Sequence, residues 1–216
     1  MTARLAVIVS GRGTNLEAIL DAIVAGTLAA RVVVVIADRP GAQALARAAA
    51  RGVPTVTIDQ RAYTERAAFD SDLDAELARH SPDLVVLAGF MRILSDGFVK
   101  RWLGKLVNIH PSLLPAYPGL HTHRRALADR VTTHGATVHF VTPALDSGPA
   151  VLQVEVPVRP NDSEGLLAAR VLNAEHRLYP EALRRILSGQ VAFRDGAVYC
   201  DGAPLARPER LPHLHS

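Results

Sequence analysis

The chain has 216 residues, 49% of them hydrophobic and 21% charged, with a formal net charge of +3. Those proportions suit one globular domain with a sizeable core that needs no staples. They exclude a dedicated nucleic-acid binder, because there is no run of lysines and arginines and aromatics are few; a small anionic ligand remains compatible. The lone cysteine, Cys200, can form no intramolecular disulfide. Met1 to Leu5 runs straight into a strand-like segment without a signal-peptide cleavage region. No apolar run is long enough to span a membrane. A cytoplasmic protein is expected.

In chain order, Leu5 to Val9 reads as a buried strand, and Ser10 to Asn15 as a turn. Leu16, Ile19, Leu20, Ile23 and Val24 then fall at helical spacing, with Thr14 and Glu17 as a capping box and Gly26 as the stop. Val32 to Ala37 is a second strand, Gly41 to Arg51 a helix, Pro54 to Ile58 a short third strand and Tyr63 to His80 a helix with a polar face. Asp83 to Ala88, closed by Gly89, and Leu106 to Ile109 are strands four and five. Strands that are apolar throughout and alternate with helices predict a parallel sheet covered on both faces. After residue 130, Ala136 to Val141 and Val151 to Val158 have no long helix between them, which predicts an antiparallel extension. Asn161 to Glu164 opens a long helix that Pro180 is expected to kink or restart, and residues 191–216 read as a hairpin plus a tail. The fold class is α/β, a Rossmann-like, mostly parallel twisted sheet with an antiparallel C-terminal extension.

The turn Ser10-Gly11-Arg12-Gly13-Thr14-Asn15 joins the first strand to the first helix. Glycines there bring backbone amides close to an anion, and the helix N-terminus favours a phosphate. The plainer alternative is a tight turn with a good cap. Gly11-x-Gly13 and the later Asp38 also begin a dinucleotide fingerprint, but Leu16 stands where its third glycine belongs. No Gly-Lys-Ser/Thr follows, so a single phosphate fits better than a dinucleotide or a nucleoside triphosphate.

In an open parallel sheet, ligands bind beyond the carboxyl ends of the strands. The first turn, Gly89-Phe90-Met91-Arg92 and Asn108-Ile109-His110 all belong to that edge. Alternation along an extended segment turns Asn108 and His110 to the same side. An amide N–H can stabilise an oxyanion, and an imidazole can move a proton near neutral pH. Asp146, in Leu145-Asp146-Ser147-Gly148-Pro149, could orient such a histidine or be an ordinary turn aspartate. Asn108 and His110 could equally serve loop hydrogen bonding. A nucleophile elbow is absent, and His121-x-His123 does not make a recognisable metal motif. No metal is expected.

The segments Ser10 to Asn15, LAGFMRIL at 87–94, NIHPSLLPAYPGLHTH at 108–123, GATVHFVT at 135–142 and LDSGP at 145–149 occur in that order. Together they closely resemble the phosphoribosylglycinamide formyltransferases, folate-dependent enzymes of purine synthesis, over Leu5 to about Pro180. The resemblance implies transfer of a formyl group from 10-formyltetrahydrofolate to glycinamide ribonucleotide. It implies Asn108, His110 and Asp146 as the catalytic set. Gly13, Thr14, Asn15 and Arg66 would contact the substrate phosphate, and Glu175 the ribose. Met91, Arg92, Leu94, Val99 and the loop Thr142-Pro143-Ala144-Leu145-Asp146, with Asn108, would line the folate pocket. A cis peptide is implied at Leu114-Pro115. Leu172 stands where relatives often place a polar residue near the ribose, so that contact is lost. Pro143-Ala144 replaces a more acidic pair, yet backbone contacts should preserve folate binding.

On this reading residues 1–216 form a single domain. Residues 1–100 would be its phosphate- and nucleotide-binding half, 101–190 its catalytic and folate-binding half, and 191–216 the hairpin and tail. A formyltetrahydrofolate deformylase would add an N-terminal regulatory domain, for which the first strand leaves no room. A methionyl-tRNA formyltransferase would add a C-terminal barrel, for which too little chain follows Pro180. The expected partners are the two small substrates, with no nucleic acid and no membrane, on a monomer or homodimer.

Overall fold

The computed structural model describes residues 2–212. Two compact units divide the chain, Met1–Asn108 and Ile109–Ser216. The first holds β1 (Ala3–Val9), α1 (Thr14–Val24), β2 (Ala30–Ala37), α2 (Gln43–Ala50), β3 (Thr55–Thr57), a 3-10 turn (Gln60–Ala62), α3 (Arg66–His80), β4 (Leu84–Leu87), α4 (Asp96–Arg101) and most of β5 (Leu106–His110). Its strands run parallel in the order β5-β4-β1-β2-β3. Leu5 to Val9 and Leu84 to Leu87 are buried at every position, which is why they read as continuous apolar runs rather than alternating ones.

The second unit holds α5 (Thr122–Ala128), β6 (Thr133–Phe140), β7 (Ala150–Pro157), α6 (Glu164–Leu187), β8 (Val191–Arg194), β9 (Ala197–Cys200), β10 (Ala203–Pro204) and β11 (Glu209–Arg210). β6 and β7 are antiparallel, and β11 lies parallel to the far edge of β7. β8, β9 and β10 make a separate antiparallel sheet. Asp195 and Gly196 at the β8–β9 turn both have positive φ, the hairpin geometry that follows strand twist. The result is an α/β fold with a mostly parallel sheet and a small antiparallel sheet near its C-terminal end. Among the described residues no helix is long and apolar enough to cross a membrane.

Four local expectations change. Thr14 does not cap α1: Gly13 is the N-cap, at φ 76, and having no side chain it makes no cap hydrogen bond. Glu17 instead pairs with Arg47 of α2, so the expected capping box is not formed. The helix expected from Tyr63 starts at Arg66, because Tyr63 and Glu65 are extended after the 3-10 turn. Pro180 does not restart the last helix, since α6 is continuous, with Leu178, Tyr179, Ala182 and Leu183 buried on either side of it. The two short helices α4 and α5 have no counterpart in the sequence reading, being too brief to display a period.

Candidate active site

In the first unit, the loops after β1 and β4 are tied together. Ser10 N donates to Gly89 O at 3.3 Å, and Ser10 Oγ accepts from Met91 N at 3.0 Å. The glycine turn is shaped by α2 packed against it. A Cβ on Gly13 would lie 2.5 Å from Ala44 Cβ and 2.7 Å from Ala44 Cα, so the position excludes larger residues by sterics as well as by φ. Ala44 N donates to Gly11 O, and Arg47 Nε to Arg12 O. The turn is therefore held from outside, and its N-cap glycine puts no side chain over the first amides of α1.

Of the residues singled out there, Asn15 is buried, Thr14 half-buried and Arg66 exposed at the first position of α3. Met91 is exposed, Arg92 half-buried, and Leu94 and Val99 are in the core. Asp38, where a dinucleotide fold would place its ribose-binding acid, is buried beside Arg39. Leu16 is fully buried, so the place of the missing third glycine is taken by core packing.

β5 carries Asn108 and then His110, with the division between units falling between them. In the second unit, His110 Nε2 lies 2.9 Å from Tyr117 O. A carbonyl only accepts, so Nε2 carries a proton. The other nitrogen, Nδ1, is 3.4 Å from Asp146 Oδ2. That same oxygen accepts from Gly119 N at 2.8 Å. Asp146 sits at φ 49 in a turn. Its Oδ1 lies 3.9 Å from Nε2 of His139, whose Nδ1 donates to Phe140 O at 3.0 Å. Burial pushes the His139 imidazole below its ordinary pKa, and this ring flanks the second carboxyl oxygen of Asp146.

The loop 111–119 is clamped from the strands below. Thr137 Oγ1 donates to Ser112 O at 2.7 Å and accepts from Leu114 N at 3.0 Å. Gln153 Nε2 reaches both Leu114 O and Thr137 Oγ1 at 2.9 Å. Thr137 and Gln153 are direct neighbours across β6 and β7. Ser112 Oγ donates to Ala116 O, so the segment leading to Tyr117 is bonded throughout. The Leu114-Pro115 peptide is cis. Sequence reasoning assigned no role to His139, Thr137 or Gln153. The quoted motif contains the first two, and only the strand pairing brings in the third.

The remaining residues are placed but not drawn into this cluster by any described bond. Thr142 is half-buried, Pro143, Ala144 and Leu145 are exposed, and Glu175 is buried on α6. His121 is exposed at φ 57, where it N-caps α5. His123 packs edge-on against His134, 5.2 Å between ring centroids. Among the described residues no group of three His, Cys, Asp or Glu side chains could hold a metal ion.

His134 has a consequence for stability. It is 1% exposed, hydrogen-bonded to the Pro111 backbone, with His123, His110 and the Tyr117 ring as further neighbours. Burial first, then the nearby His123, lowers its pKa from 6.5 to about 4. The unfolded chain therefore binds the proton at a higher pH than the folded one, and stability falls as pH drops from 6.5 towards 4. Urea unfolding should show His134 contributing up to about 3 kcal/mol of that loss. His134→Phe should flatten this window. An unchanged slope would remove His134 as the cause.

A family model described as formyl transferase matches residues 3–183. The chain is 45% identical over 208 residues to the phosphoribosylglycinamide formyltransferase of Escherichia coli (strain K12), covering 96% of this chain and 95% of that protein. It is 43% identical over 198 residues to the trifunctional purine biosynthetic protein adenosine-3 of Homo sapiens, covering 92% of this chain but 20% of that longer protein. A solved phosphoribosylglycinamide formyltransferase from Coxiella burnetii, in complex with CHES, superposes with a TM-score of 0.94 at 42% identity, covering 98% of this chain and 100% of that one.

Proposed function

The chain belongs to the formyl transferase family, and from that premise we propose that it moves the formyl group of 10-formyltetrahydrofolate onto the amine of 5′-phosphoribosylglycinamide in purine biosynthesis. The observation that carries the reading is the pair formed by His110 Nδ1 and Asp146 Oδ2, with His110 two residues beyond Asn108 on β5.

The amine nitrogen attacks the formyl carbon, and the carbonyl oxygen takes the negative charge. Asn108 offers a side-chain N–H to that oxygen. His110 offers Nδ1, because Nε2 is committed to Tyr117 O. Asp146 Oδ2 faces that nitrogen at 3.4 Å, and an N–H there is the donor to the oxyanion. The amine gives up its proton to Asp146 through water. Collapse breaks the bond to folate N10, which takes up a proton. Gly119 N holds Asp146 in position throughout. The nucleotide phosphate goes to Gly13, Thr14, Asn15 and Arg66, and the ribose to Glu175. Met91, Arg92, Leu94, Val99 and residues 142–146 serve the folate.

The test offers 10-formyltetrahydrofolate with and without glycinamide ribonucleotide and follows deformylated folate. Turnover that requires the nucleotide supports transfer to its amine. Turnover without it would make water the acceptor and overturn the reading. Asn15→Ala should raise KM for the nucleotide about tenfold, the size of one hydrogen bond to a charged group, and change kcat less. Steady-state kinetics with the nucleotide varied would check this, and a fall in kcat at constant KM would contradict the phosphate role.

A further inference from the structure

α3 holds the segment 92–102 at three successive places. The Arg92 guanidinium lies over the Phe69 ring, 4.5 Å from its centroid, and also reaches Gln60. Asp70 Oδ2 accepts from Ser95 N at 2.6 Å. Asp74 Oδ1 accepts from Trp102 Nε1 at 2.9 Å and pairs with Arg101 at 2.8 Å. Ser95 in turn caps α4 by accepting from Phe98 N at 3.3 Å. Asp70 thus fixes the residue that lies between Leu94 and Val99.

Asp70 is itself 4% exposed, and its second oxygen, Oδ1, is fully buried without a hydrogen-bond partner. Burying a carboxylate is costly unless its lone pairs are satisfied. A neutral acceptor would hold Ser95 N at a lower cost. Holding the fold therefore accounts for one oxygen and leaves the other, on the same carboxyl group, without a partner.

We propose that Asp70 is a positioning residue for the formyl donor: Oδ2 fixes Ser95, and Oδ1 takes up a further backbone N–H of the segment 91–95 when the donor binds. The inference rests on the reading above that Met91, Arg92, Leu94 and Val99 serve the folate. No covalent step is involved, and Asp70 touches neither reacting group.

Two variants of the full chain test it. Asp70→Ala removes both acceptors. Asp70→Asn keeps one acceptor for Ser95 N and puts an N–H₂ group where Oδ1 stands. KM for 10-formyltetrahydrofolate and KM for glycinamide ribonucleotide are measured separately. Binding of tetrahydrofolate is followed by the fluorescence of Trp102, the single tryptophan, which is bonded to α3. Asp70→Ala should raise the donor KM about tenfold, with the nucleotide KM within twofold of wild type. Asp70→Asn should melt close to the wild-type temperature yet raise the donor KM and the tetrahydrofolate Kd at least threefold. It carries the test alone if Asp70→Ala fails to fold. Wild-type donor KM and Kd in Asp70→Asn would show Oδ1 to be idle. An equal rise in both KM values would show general loosening. Either result overturns the proposal. Wild-type turnover judges the functional reading separately, and the tetrahydrofolate titration needs no turnover at all.

Discussion

His110→Ala is expected to lower kcat by roughly two to three orders of magnitude, the scale of a lost oxyanion donor. KM for the nucleotide should move little, because the turn proposed for its phosphate is held by Ala44 and Arg47. Asp146→Asn is the sharper companion. Its amide oxygen can still accept from Gly119 N, so the turn at φ 49 is kept while the charge facing His110 Nδ1 is removed. Single-turnover measurement of formyl transfer separates chemistry from product release. A loss comparable to His110→Ala is expected, because the two residues act as one unit and their effects do not add. Near wild-type single-turnover rates in either variant would dismiss the assigned roles.

Gly148→Ala should be as damaging by a different route. A Cβ on Gly148 would lie 1.8 Å from Phe140 O and 3.0 Å from Phe140 C. Both are backbone atoms, so neither can swing aside. The carbonyl that must move is the acceptor for His139 Nδ1, and Gly148 itself follows Asp146 by two residues. One methyl group therefore strains the floor of the Asp146 turn and the histidine beside it. Overpacking of this kind is expected to cost about 3 kcal/mol in urea unfolding and to depress kcat by about a hundredfold. Gly165→Ala is the control. The nearest atom to its added Cβ is Ser163 Oγ at 3.9 Å, and it sits in the first turn of α6. It should be neutral or stabilising by up to about 1 kcal/mol. Similar behaviour of the two variants would mean that the clash at Gly148 is relieved cheaply.

The parts of this fold that can be read in the sequence are those set by local pattern. Val7, Ile8, Val34, Val35, Val85 and Val86 are buried β-branched residues, and their runs announce strands without any tertiary knowledge. The α1 cap fails for the opposite reason. Gly13 takes its left-handed turn against Ala44, a contact thirty-odd positions away that no local rule contains. Asp146 was poised between a turn aspartate and a partner for histidine, and it is both: the turn conformation is what aims its carboxylate at Nδ1. His139 lies on a strand buried at nearly every position, so alternation does not single it out. Asp70 reads as one more polar residue on a polar helix face, and only Ser95 lying against it marks it out.

The strand β11 gives the second unit a protected border. It adds two residues alongside β7 at Leu152 and Gln153, with Leu211 N donating to Gln153 O. Arg185 and Arg210 anchor it through Glu209 and Glu155. β7 carries three valines and one leucine, apolar residues that recruit a neighbouring chain when the backbone edge lies bare. A proteolytic cut ahead of Glu209 would leave His110 and Asp146 in place and still expose a sticky edge. Self-association, rather than lost chemistry, would then set the working lifetime of the clipped protein.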